Sequence, residues 1–265
     1  MTLDLPGMGL GTSGNKDPET CRETVVEALE MGYRHIDTAQ MYDNEEAVGE
    51  GIAAADVDRG DVVLATKVHP SNLAYEDAKR TAEESLDRLG VDGVDLLYVH
   101  WPMNAYDPAE TLRAMDELRE EGLTRHVGLS NFTPDLLDEA RGLLEAPVAA
   151  HQVECHPLLP QEELRAYARE HGHPLVAYCP LGRAQLEHPV LEEVADKHGI
   201  STPLVSLLWC LAKDAVVPIP KATGDHVREN WEARDLELDD GDLDRLDAID
   251  ERQRIIDPEN AAWNR

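Results

Sequence analysis

Four residues whose side chains could share one reaction stand at or just past the ends of short apolar runs: Asp37, Tyr42, Lys67 and His100. Brought together, they turn a phenol into a proton donor. A free phenol has a pKa of about 10, so a neighbouring ammonium must favour the phenolate if the proton is to leave near neutral pH. Lys67 is the candidate ammonium, Asp37 the carboxylate that keeps it charged and placed, and His100 a hydrogen-bond donor to a developing oxyanion. Singly, each has a plain alternative: a packing tyrosine, a solvated lysine, a satisfied core histidine. Only convergence in space makes them a site.

The elements that would converge them alternate along the whole chain. Apolar runs at 8–12, 34–37, 62–67, 96–100, 127–130, 150–154, 175–178 and 217–221 predict strands. Helical patterns at 18–31, 75–89, 108–121, 134–144, 161–170 and 189–197 lie between them, several opened by Asp-Pro or Thr-Pro pairs that suit an N-cap and first helical position. Eight strands alternating with helices predict a (β/α)8 TIM barrel. No Pro/Gly/Ser-rich linker interrupts it, so a single domain over 1–265 is expected. In such a barrel the chemistry sits at the C-terminal strand ends. Asp37, Lys67 and His100 fall there, Tyr42 follows in a loop, and Ser130, Asn131, Gln152, Tyr178 and Lys221 occupy the same level. A doubly wound dinucleotide fold is the rival, because residues 9–14 carry GxGxxG spacing. A polar loop follows before any helix, so the third glycine cannot pack a helix on its strand, and the barrel is the better reading.

Composition narrows the partners. The 265 residues hold 54 Asp and Glu against 24 Lys and Arg, a net charge of −30. Such a surface repels nucleic-acid phosphates and anionic lipid. Regular apolar runs argue against acidic disorder, and a folded protein adapted to concentrated salt fits better, with charge screened over about 3 Å at 1 M. Only six lysines occur, and two of them, Lys67 and Lys221, lie in chemistry-bearing segments. The N-terminus lacks a basic start and an apolar h-region, and no apolar stretch approaches membrane-spanning length, so a soluble cytoplasmic protein, monomeric rather than oligomeric, is expected. Cys21, Cys155, Cys179 and Cys210 are widely spaced, without CxxC pairs, and read as reduced structural thiols. His171 and His173 flank a glycine without a third ligand, so they read as a solvated turn, and no metal site is expected.

Seven segments in order, HIDTAQMYDNEEAVG, ATKVHP, LLYVHWP, GLSNF, HQVECHP, AYCPLGRA and PIPKATGDHVREN, make nearly the whole chain resemble the aldo-keto reductases, in particular the prokaryotic diketogluconate reductase branch. The resemblance implies reduction of an aldehyde or ketone by hydride from a nicotinamide, with Tyr42 as proton donor, Lys67 its activator, Asp37 the partner of that lysine and His100 the orienter of the carbonyl. It further implies that Ser130, Asn131 and Gln152 hold the nicotinamide carboxamide, that Tyr178 stacks on the ring, and that Leu181 and Gly182 run along the pyrophosphate. Lys221, Ala222, Thr223, His226 and Asn230 would hold the adenosine end and its 2′-phosphate, which makes NADPH the expected cofactor.

The chain departs from that pattern in three places. His226 falls where arginine is frequent and Ala222 where serine is common; a neutral imidazole cannot replace a guanidinium fork, which leaves NADH open. Ser13 stands where tryptophan is frequent, and with Trp101 as a wall residue this implies a more open substrate space. After Ile256 only DPENAAWNR remains, a short tail that suggests little restriction of a small carbonyl substrate. A nicotinamide-binding redox sensor on the same fold is the rival from another class, and a cofactor-free barrel lyase would leave Asn131, Gln152 and Lys221 without a role.

Overall fold

The computed structural model describes residues 3–264. Its frame is one eight-stranded, wholly parallel sheet in sequence order: β1 (Leu10–Gly11), β2 (His35–Asp37), β3 (Val63–Val68), β4 (Val94–Val99), β5 (Thr124–Ser130), β6 (Val148–Glu154), β7 (Leu175–Tyr178) and β8 (Val216–Pro218). The sheet closes on itself. Gly9 N donates to Pro218 O at 3.0 Å and Gly11 N to Pro220 O at 3.1 Å, with Gly11 bridging to Lys221. A Cβ on Gly11 would stand 2.7 Å from the Ile219 carbonyl oxygen, so the seam needs glycine there.

The expected barrel is therefore present, with the first and last strands shorter than the apolar runs. Pro218 and Pro220 have no N–H for a ladder, so β8 stops early and Lys221 lies beyond it. His100 likewise falls just past β4.

Helices α1 (Pro18–Met31), α2 (Glu45–Ala54), α3 (Tyr75–Leu89), α4 (Pro108–Glu120), α5 (Pro134–Leu143), α6 (Glu162–His171), α7 (Pro189–His198), α8 (Thr202–Leu211), α9 (Asp225–Glu232) and α10 (Asp240–Asp247) surround the sheet. Asp17 and Asp107 cap α1 and α4 as expected, accepting from Thr20 N at 2.8 Å and Glu110 N at 3.0 Å. Thr133 makes no such bond. In α1, Cys21, Val25, Ala28 and Leu29 are buried at helical spacing, the stripe that docks the helix on the strands.

Inside the barrel a smaller apolar cluster of Ala65, Leu96, Tyr98, Ala150, Val176, Val217 and Ile219 fills the lower half. Side chains alternate along a strand, so residues two positions further on also face the axis. Those positions are Lys67, His100, Gln152 and Tyr178. His173, expected in a solvated turn, is buried instead. Burial, Arg141 and His171 push its pKa down to about 4.

Candidate active site

Lys67, next to last in β3, reaches the carboxylate that ends β2. Its ammonium donates to Asp37 Oδ1 and to the Thr38 carbonyl at 2.8 Å, and it stands beside the Tyr42 phenol. Burial disfavours the Lys67 charge, but Asp37 and Tyr42 outweigh it and raise the lysine pKa above its ordinary value. From β6, Gln152 Nε2 donates across the barrel to Asp37 Oδ2 at 2.8 Å. Both carboxylate oxygens are thereby fixed.

Tyr42 sits in a single turn of 3-10 helix, Gln40–Tyr42. Gln40 pins that turn: its Nε2 donates to Thr81 O at 2.9 Å and its Oε1 accepts from His69 N at 2.8 Å. The Lys67 ammonium lies 5.2 Å from the Tyr42 ring centre, and the His100 ring meets it edge-on at 5.8 Å. Burial wins over Lys67 and holds the phenol above its ordinary pKa, while hydrogen bonds with Lys67 and Ser13 oppose the rise. The acidifying ammonium expected from sequence is in place; the net sign is the reverse, because desolvation of a phenolate costs more than one ammonium returns. At neutral pH the phenol is protonated and available as an acid.

Burial, then Lys67 and His69, hold the His100 pKa well below the ordinary imidazole value. It is neutral at neutral pH, and its buried Nδ1 has no partner. Asn131, in the left-handed region at φ 65°, turns its amide back into the site. Its Nδ2 donates to His100 O and to Ser130 Oγ, both at 3.0 Å, and its Oδ1 accepts from the Tyr178 hydroxyl at 2.8 Å. Asn131 thus locks the aromatic ring of Tyr178 against the same group of residues.

A cavity of about 1020 Å³ opens over this group. Asp37, Tyr42, His100, Asn131, Gln152 and Tyr178 line it, with Ser13, Trp101, Leu181 and Lys221 further out, while Lys67 is wholly buried behind Tyr42. Ser130, Gly182, Ala222, Thr223, His226 and Asn230 lie outside the lining. His226 is exposed and its Nδ1 pairs with Glu229 Oε2 at 2.8 Å, so it faces a carboxylate. Buried Asn230 has an Nδ2 without a partner. The cavity suits a nicotinamide dinucleotide: it has the volume, a tethered aromatic face in Tyr178 and an exposed cation in Lys221.

Two features escaped the sequence reading. Ser13, read only as a wall residue, also opposes the rise of the Tyr42 pKa. The tail is not idle either, for Ile255, Ile256, Asp257 and Pro258 all line the cavity. The one available signal was the apolar pair Ile255-Ile256 in a polar stretch.

A parallel barrel with a phenol, an ammonium and a carboxylate linked at its C-terminal mouth defines a class, the barrel oxidoreductases that act on carbonyls. The chain belongs to the Aldo/keto reductase family, whose sequence profile matches residues 7–251. It is 38% identical over 256 residues to a glyoxal reductase of Bacillus subtilis (strain 168), covering 96% of this chain and 92% of that one. Among solved structures it matches a provisionally named 2,5-diketo-D-gluconic acid reductase B at a TM-score of 0.91 and 34% identity, covering 97% and 92% of the two chains. An aldo-keto reductase of Bombyx mori in complex with NADP matches at a TM-score of 0.86 and 29% identity, covering 96% and 92%. The protein is accordingly a nicotinamide-dependent oxidoreductase of carbonyl groups, and among the described residues no helix is long and apolar enough to cross a membrane.

Proposed function

We propose that this chain reduces small aldehydes and dicarbonyls with NADPH, Tyr42 giving the proton to the carbonyl oxygen. The observation that carries the reading is the buried Lys67–Asp37 ion pair set against Tyr42 at the wall of the cavity that also holds His100 and Tyr178. Half-buried Tyr42 rests as a neutral phenol, the form an acid catalyst needs. As the proton leaves, the fixed Lys67 ammonium stabilises the phenolate without reorganising, an effect of preorganised charge. Asp37 keeps that ammonium aimed, and Gln152 keeps Asp37 aimed. Neutral His100 offers one N–H to the carbonyl oxygen, orienting it toward Tyr42.

When bound, the reduced nicotinamide supplies the hydride, which no side chain can. Asn131 and Gln152, backed by Ser130, would hold its amide, and Tyr178 would carry its ring. Leu181 and Gly182 would follow the pyrophosphate. Lys221, Ala222, Thr223 and Asn230 would take the adenosine end, and Lys221 is the cation on which the NADPH preference rests, since His226 is committed to Glu229. Likeness to a glyoxal reductase supports a small dicarbonyl as substrate.

The test is NADPH oxidation with glyoxal in concentrated KCl by the native chain and by Tyr42→Phe. General acid catalysis of this kind is worth about 10² to 10⁴ in rate, so kcat should fall by that factor while cofactor binding persists. A Tyr42→Phe chain with native kcat would overturn the assignment.

A further inference from the structure

Glu154 ends β6, two residues beyond Gln152 and therefore on the same inward register. It is wholly buried, yet no lysine or arginine pairs with it among the described residues. Its Oε1 accepts from the backbone N–H of Ile255 at 2.6 Å and faces His156 Nε2 at 3.0 Å; its Oε2 accepts from Ile256 N at 2.8 Å. A buried carboxylate is costly unless hydrogen bonds satisfy it. Here the main chain of the tail does so.

The consequence lies in what those two N–H groups carry. The Ile255 and Ile256 side chains line the cavity, followed by Asp257 and Pro258. Beyond them Asp257 Oδ1 accepts from Trp263 Nε1 at 2.8 Å, and the Trp263 ring packs against Trp101 at 5.5 Å, the residue after His100. The Arg254 guanidinium covers Trp263 at 3.9 Å. The tail is thus held at two points, by Glu154 on the barrel interior and by Trp101 on the mouth, with its apolar residues between them.

We propose that Glu154 is a positioning residue that sets substrate specificity: by clamping the backbone at 255–256, it builds the tail into the apolar wall against which the substrate's extension packs. The inference rests on the reading that a carbonyl substrate enters this cavity. A short aldehyde needs only Tyr42 and His100, whereas a longer one must bury its extension on Ile255, Ile256 and Pro258.

Propanal and hydrocinnamaldehyde share the reacting group and differ by a phenyl extension, so they separate the two demands. Glu154→Gln keeps the shape but replaces one of the two acceptor oxygens with an amide donor, so one of the two backbone N–H groups loses its acceptor. In the full chain, KM for hydrocinnamaldehyde should rise about tenfold, within the range that apolar pocket contacts control. Its kcat, and both constants for propanal, should stay within about twofold, because the residues at the reacting carbonyl are untouched. Carboxypeptidase should also digest the tail faster and tryptophan emission should shift to the red.

An unchanged KM for hydrocinnamaldehyde, or an equal loss of kcat on both aldehydes, overturns the proposal. If the native chain turns over neither aldehyde, the reading of function fails separately, and an unchanged rate of tail digestion in Glu154→Gln then overturns the clamp. Should Glu154→Gln fail to fold, Trp263→Ala loosens the other end without touching the interior. Its KM for hydrocinnamaldehyde should rise by a few-fold, and no rise overturns the proposal.

Discussion

Two carboxylates are buried at the mouth of this barrel, four strands apart and hence on opposite sides of it: Asp37 on β2 and Glu154 on β6. Asp37 faces an ammonium, while Glu154 faces only main-chain N–H groups and an imidazole. The difference separates two tasks. A charge matched by a charge fixes the electrostatics that a proton transfer uses; a charge matched by backbone dipoles fixes the position of a chain segment. Gln152 joins the two sides, since it lies two residues before Glu154 and donates to Asp37 Oδ2.

The comparison is broken most sharply on the Asp37 side. Tyr42→Phe removes the proton donor and leaves both carboxylates satisfied, so it should cost about 10² to 10⁴ in kcat with stability nearly native. Asp37→Asn strikes the pair itself. It strands the Lys67 ammonium in the interior, and breaking a buried pair from one side typically costs about 3–5 kcal/mol of stability. Chemical denaturation should report that loss, together with a fall in kcat as Lys67 loses the partner that keeps it charged. If Asp37→Asn were as stable as the native chain, the charge-matched role would belong to Glu154 or to neither.

Much of the Asp37 side was legible beforehand, and the reason is geometric. Parallel strands buried on both faces read as apolar runs, and their ends mark where the mouth must be, so Asp37, Lys67 and Gln152 could be assigned to one rim. Helix α2 was harder to see. Gly49 and Gly51 weaken its local signal, and close packing requires them: a Cβ on Gly49 would stand 2.2 Å from the Leu89 carbonyl oxygen and one on Gly51 2.7 Å from Val25 Cβ. The sign of the Tyr42 shift was hidden for another reason: the ammonium is visible in a sequence, but the degree of burial that overrides it is not. Least legible was the Glu154 clamp. Its acceptors are side-chain oxygens and its donors are backbone N–H groups about a hundred residues away, a pairing that leaves no trace in residue type.

A layer below Asp37 on the same strand, His35 supplies a third case: a buried titratable group with no partner on either ring nitrogen. Burial lowers its pKa to about 4, with Asp37 opposing and Lys67 assisting. The folded state therefore holds His35 neutral while the unfolded chain takes up a proton below about pH 6.5. Its contribution to stability is present above that value and lost as the pH falls toward 4, at about 1.4 kcal/mol per pH unit. His35→Leu should lack that one proton's worth of slope, which then appears in the native-minus-variant difference read by denaturation at several pH values between those limits. An unchanged slope would mean that His35 finds a proton acceptor in the folded state and is no longer the unpartnered member of the three.

The smallest effect belongs to an exposed pair, His226 with Glu229 on α9. There the carboxylate is neither matched by a lysine nor sequestered; it draws the imidazole away from any phosphate and would itself repel one. His226→Arg introduces a permanent fork able to bind a 2′-phosphate bidentately, although Glu229 remains to compete for it. The ratio of kcat/KM for NADPH to that for NADH should rise, by a few-fold up to about tenfold at low salt, and the gain should shrink in concentrated KCl because exposed charges are screened. The same salt should barely alter the loss caused by Asp37→Asn, whose charges are out of reach of counterions. If the His226→Arg gain proved insensitive to salt, the arginine would have to be buried by the cofactor, and the line drawn between exposed and interior charge in this site would move outward to α9.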